Sequence, residues 1–211
     1  MTAVLTTPAS AQVPQEELVR TRFARTIDTG DRYFSENAEA IARCAAEMAD
    51  HFWDGARLLV FGGGSSTTDA QHNSVEFVHP ALPGCRALPA YSLTNDGATV
   101  TGILLGDDPG SVYEHQIQVF GRPGDIALAF ADSPPLPAIS RGLDEAQDRG
   151  LLTVAMLVGA HDPGRLADHQ FRTVSDDHMV AQELHLATYH MLWELVHIAL
   201  NHRGIPQGGA R

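Results

Sequence analysis

The run Leu58-Leu59-Val60-Phe61 is short, wholly apolar, and stops at Gly62-Gly63-Gly64-Ser65-Ser66. A strand without polar alternation is one covered on both faces, and glycines directly after it let the chain turn sharply into a helix. Comparable runs recur at 87–93, 126–131, 151–158 and 171–174, with helical patterns between them at 66–78, 111–120, 136–149 and 163–168. This alternation predicts an α/β fold, a doubly wound parallel sheet of about five strands flanked by helices. Two helical patterns precede the first strand. One, at 15–27, places Leu18, Val19, Phe23 and Ile27 near one face; the other, at 35–53, opens on a capping-box-like Ser35 to Glu39. A long helix from Val180 to His202 closes the chain. Residues 15–203 read as a single domain, between a disordered tail at 1–14 and a flexible tail at 204–211. Ala9-Ser10-Ala11 lacks the basic leader and apolar stretch of a signal sequence.

Charge narrows the chemistry. All 14 basic residues are arginine. Without lysine there is no Schiff-base lysine, no pyridoxal-phosphate anchor and no P-loop lysine. A formal charge of −12 argues against direct nucleic-acid binding. Two cysteines, Cys44 and Cys85, are too few for a four-thiolate metal site, and no apolar run is long enough to span a membrane. The expectation is a reduced, cytoplasmic protein with no membrane partner.

In a doubly wound sheet ligands lie beyond the C-terminal strand ends, where the Gly62–Ser66 loop falls. Gly63, Gly64, Ser65 and Ser66 can turn backbone N–H groups toward a ligand, and Ser66 with Asp69 can cap the following helix. A dinucleotide fingerprint needs a third glycine where Thr67 stands, so no nucleotide cofactor is expected. That helix carries His72 and Glu76, four apart and on one face, close enough to share a metal or a proton. The last helix carries Gln182, Glu183, His185 and His190 among apolar neighbours. Glu194 and His197 form a competing Glu-x-x-His pair, better read as a solvated or interfacial face because no second copy exists. Ser92, Thr94, Asn95 and Asp96 are either further ligand contacts or a polar turn.

Taken in order, these motifs resemble the sugar isomerase (SIS) domain, and specifically the phosphoheptose isomerase family, whose fold is flavodoxin-like. The family's Gly-Asn-Gly-Gly-Ser, Asp and His-x-x-x-Glu are matched by Gly62 to Ser66, Asp69, His72 and Glu76. Its Gln-Glu-x-His with a later His is matched by Gln182 to His185 and His190, and its Gly-Arg-x-Gly-Asp by Gly121 to Asp125. The resemblance implies a zinc ion held by His72, Glu76, Gln182 and His190, with Glu76 as catalytic base and His190 as acid in a metal-assisted enediol mechanism. It also implies a small sugar or sugar-phosphate ligand and a homotetramer with sites at subunit interfaces. Eight residues of helix separate Gln182 from His190 by about 12 Å, so one ion reaches both only through stretched side chains or a neighbouring subunit.

The chain departs from the family after the third strand. In place of Ser-Thr-Ser-Gly-x-Ser it reads Ala131-Asp132-Ser133-Pro134-Pro135-Leu136, which loses hydroxyls, adds an acid and removes N–H donors. The family's loop asparagine is Gly63, and its arginine after the glutamate falls on Pro80, with Arg86 nearby. Asp132 and Ser133 remain candidate substrate contacts beside Asp96. The expected function is an aldose–ketose isomerase. The alternatives are a non-catalytic SIS module that binds a sugar derivative or protein partner, and a metal-binding protein with another task.

Overall fold

The computed structural model describes residues 14–132, 136–159, 165–175 and 177–204, with Asp132 by its backbone alone. The expected tails, the signal-like Ala9 to Ala11 and the candidate contact Ser133 lie outside the described residues, save Pro14 and Gly204.

Five parallel strands, β1 (Leu58–Gly62), β2 (Ala90–Ser92), β3 (Ile126–Asp132), β4 (Leu152–Val158) and β5 (His169–Thr173), form one sheet in the order β2-β1-β3-β4-β5. All five residues of β1 are buried, as its unbroken apolar run predicts. Strand alternation divides it between two cores. Leu58 and Val60 pack with α1 (Gln15–Trp53), α2 (Ser66–Val78) and α6 (His178–His202), whereas Leu59 and Phe61 pack with α4 (Val112–Phe120) and α5 (Pro137–Asp148). The strand order reverses between β1 and β3, which puts the topological switch point of the sheet at their C-terminal ends, where α2 and α5 begin.

Gly121 to Asp125 works at the opposite end of the sheet. The buried Asp125 carboxylate accepts from Arg57 N (2.8 Å), Arg57 Nη2 (2.5 Å) and Arg122 N (3.1 Å), tying the start of β1 to the start of β3.

Four expectations are corrected. The two N-terminal helices are one, α1, of 39 residues. No proline interrupts 27–35, and Ser35 lies inside the helix rather than capping it. Gly30 is kept there by packing: a Cβ would sit 3.2 Å from Leu184 Cδ2 of α6. Residues 165–168, the described part of the expected helix at 163–168, are not helical. Asp168 instead accepts from Thr153 N (3.0 Å) and Oγ1 (2.8 Å) in β4. A helix not anticipated, α3 (Gly97–Leu104), follows β2, with a one-turn 3-10 helix at Pro109–Ser111. Finally, His197 is buried rather than solvated, its Nδ1 2.8 Å from Trp193 O and its Nε2 3.0 Å from Arg86 O, while Glu194 is exposed. No described helix is long and apolar enough to cross a membrane, and Cys44 and Cys85 are free thiols.

Candidate active site

The turn out of β1 fixes where α2 starts. A Cβ on Gly62 would lie 2.6 Å from Ser66 O, and Gly64 has φ +60°, so both positions suit only glycine. Ser65 precedes the helix without a side-chain cap, correcting the expectation that Ser66 and Asp69 cap α2. The first-turn N–H groups of Ser66, Thr67 and Thr68 instead bond back to the carbonyls of Gly63, Gly64 and Ser65 at 3.2, 3.3 and 3.2 Å. Tyr113 of α4 donates its hydroxyl to Gly62 O at 2.5 Å and braces the turn from the other core.

From that start, the helical repeat aligns Asp69, His72 and Glu76 on the face of α2 that meets α6. His72, Glu76 and His190 converge: one ligand atom from each lies within 4.8 Å of the others. The His72 Nε2 is 3.0 Å from Glu76 Oε1, and its Nδ1 is 2.8 Å from the Tyr189 hydroxyl. Burial raises the Tyr189 pKa, with Asp69 and Glu76 adding to the effect, so the phenol keeps its proton. In the tautomer with its proton on Nδ1, His72 donates to the Tyr189 oxygen and leaves Nε2, beside Glu76, free to accept or to ligate. Partial burial lowers the His190 pKa, opposed by Glu76 and assisted by His72. The Trp193 indole donates to Glu76 O at 2.8 Å and ties α6 to the end of α2.

The donor set suits a divalent metal ion. Two imidazoles and a carboxylate are zinc ligands, and ligating histidines are usually oriented by a hydrogen bond on the other ring nitrogen, the place Tyr189 takes on His72. Gln182, the fourth expected ligand, bonds to another residue of α2. Its Nε2 donates to Asp69 Oδ2 at 3.1 Å, beside a hollow of about 230 Å³ that both residues line. Burial raises the Asp69 pKa, and the Gln182 hydrogen bond opposes it.

Asp96 is placed elsewhere. Its carboxylate caps α3, accepting from Ala98 N (3.0 Å), Thr99 N (3.1 Å) and Thr99 Oγ1 (2.8 Å). It shares a cavity of about 410 Å³ with Ser92, Asn95, Tyr91 and Gln116, on the α4 face of β1 and β2 and apart from the His72 cluster. Gly63 faces α5, where a Cβ would meet Leu136 Cδ1 at 3.0 Å. Asp132 ends β3 opposite Val158. Sequence reasoning missed Tyr189, Trp193 and Tyr113. The first two follow His185 at helical spacings of four and eight, which marks one inward face but not what each side chain touches.

The SIS-domain family model matches residues 23–157. The phosphoheptose isomerase of Nitratidesulfovibrio vulgaris (strain Miyazaki F) is 32% identical over 168 residues, 78% of this chain and 80% of that protein. That of Aquifex aeolicus is 32% identical over 183 residues, 85% and 95%. Among solved structures, a phosphoheptose isomerase from Francisella tularensis superposes with a TM-score of 0.81 at 26% identity, covering 88% of this chain and all of that one.

Proposed function

The chain belongs to the SIS-domain family, and on that premise we propose that it is an aldose–ketose isomerase acting on a sugar. The observation that carries this reading is the convergence of His72, Glu76 and His190 between α2 and α6. Interconverting a ketose and an aldose moves a proton between adjacent carbons through an enediol(ate), which needs a base, an acid and a way to steady the developing oxyanion. Glu76 takes the proton from one carbon and returns it to the next. His190, brought beside His72 and Glu76, is the group placed to exchange a proton with the substrate oxygens. Tyr189 and Trp193 hold His72 and the Glu76 backbone in place.

His72, Glu76 and His190 are the residues that would hold a zinc ion, with Gln182 as the further donor that the resemblance implies. When bound, such an ion polarises substrate oxygens. A homotetramer with its sites at subunit interfaces belongs to the same proposal, supported by apolar residues exposed along the first half of α1. So does a cytoplasmic location, which suits two free thiols.

The test is proton exchange. Incubating the metal-supplemented protein with a panel of free and phosphorylated ketoses in D₂O should give aldoses that carry deuterium, read by NMR. Glu76→Gln and His190→Ala should each slow the conversion by about 10²- to 10⁴-fold. Stoichiometric zinc in the wild type should be lost in His72→Ala. Conversion undiminished in Glu76→Gln, or no conversion across the panel, would end the isomerase reading.

A further inference from the structure

We propose that His197 is a positioning residue for the Glu76 carboxylate, acting through Trp193 and through the loop that returns from α2 to β2. The proposal rests on the isomerase reading, in which Glu76 is the base, and gives a task to a buried histidine which that reading leaves unused.

Glu76 lies two residues before the end of α2. The last carbonyls of a helix have no partner within it, so such a turn opens more easily than the rest unless donors from outside close it. Here they do. Val75 O accepts from His79 N at 2.7 Å, Phe77 O from Leu88 N at 2.8 Å, and Glu76 O from the Trp193 indole at 2.8 Å. The carbonyl of the proposed base is therefore held by a side chain of α6, the helix that also brings His190.

His197 stands behind two of these three bonds. One turn beyond Trp193 on α6, it is buried, and its ring packs against the indole with centroids 4.3 Å apart. Its Nδ1 is 2.8 Å from Trp193 O, and its Nε2 is 3.0 Å from Arg86 O in the returning loop. Arg86 lies two residues before Leu88, the donor to Phe77 O. The imidazole thus fixes the indole on one side and the course of the loop on the other, and both lead to the turn that carries Glu76. Both ring nitrogens face backbone carbonyls, so neither is placed to ligate an ion or to exchange a proton with a sugar. Its effect on the reaction runs through the position of Glu76, where a displacement of about 1 Å can cost about 10²-fold in rate.

Two variants cut the links separately. Trp193→Phe deletes the indole N–H, and His197→Phe keeps a ring but loses both carbonyl contacts. Each is studied well below its unfolding midpoint, with the ketose that the metal-supplemented wild type converts fastest and by hydrogen exchange of residues 74–88. In both, kcat should fall at least about tenfold with KM within about twofold of wild type, because the transition state needs the carboxylate placed more closely than binding does. Amides of that segment should exchange at least about fivefold faster while those of the sheet keep their wild-type rates. His197→Gln, which retains one amide donor for Arg86 O, should lie between wild type and His197→Phe, and replaces the latter if it does not fold. Wild-type kcat in the folded His197 variant, or unaltered exchange of the segment, would overturn this proposal and leave the isomerase reading standing. No conversion by the wild-type protein would overturn the two together.

Discussion

Two histidines five residues apart on α6 meet opposite surroundings. His190 lies beside Glu76 near solvent, while His185 is buried, its Nε2 3.3 Å from Leu157 O and donating to it. Burial pushes the His185 pKa down to about 4, with His178 adding and the Leu157 hydrogen bond opposing. The imidazole is therefore neutral in the fold and titrates near 6.5 when unfolded. Its contribution to stability is complete above about pH 6.5, declines as pH falls, and levels off near 4, a loss of roughly 3 kcal/mol. Urea unfolding of wild type and His185→Leu at several pH values should show their stability difference shifting over that window; a constant difference would refute the assignment. Sequence alone shows that both histidines sit among apolar neighbours. It does not show which is enclosed, because the deciding partner, the carbonyl of Leu157, is 28 residues away.

Elements were legible where local signals agreed with tertiary packing. α2 runs over the expected 66–78, and every apolar run became a strand within three residues of its expected start. α3 was missed because Gly-Ala-Thr-Val-Thr-Gly-Ile-Leu has poor helix propensity, with two glycines and four β-branched residues in its first seven positions. It forms because Asp96 caps it, a role the sequence reading had given to ligand binding. α1 failed the other way: its two patterns were real, but packing on α6 carries the helix through Gly30. The turn from β1 into α2 is the element on which the site most depends. Gly62→Ala places a Cβ 2.6 Å from a backbone oxygen and should cost about 2–3 kcal/mol, measured by thermal or urea unfolding. Gly97→Ala meets nothing within 4 Å at a negative φ, and should be neutral or slightly stabilising by the same measurement.

At the scale of the molecule, the first half of α1 packs on little of its own chain. Leu18, Val19, Phe23 and Ile27 are each more than half exposed, while the fully buried residues of α1 begin at Gly30. A contiguous apolar stripe of this kind marks a contact surface, here proposed to be another copy of the chain. Phe23→Asp with Ile27→Asp should lower the mass found by sedimentation or light scattering while leaving the circular dichroism of the fold intact; an unchanged mass would exclude this face as the interface. The candidate site was legible only in part for the same reason. Its residues come from α2 and α6, more than a hundred positions apart, and only the resemblance joined them before the fold did. The bond from Trp193 to the backbone of Glu76 also makes the protein its own optical reporter. Of two tryptophans, Trp53 is 45% exposed on α1, while Trp193 is 7% exposed and stacks on His197 at 4.3 Å. In Trp53→Phe the emission comes from one indole anchored to the proposed base. Metal or sugar arriving at Glu76 should shift that emission, so occupancy could be followed in real time without a label.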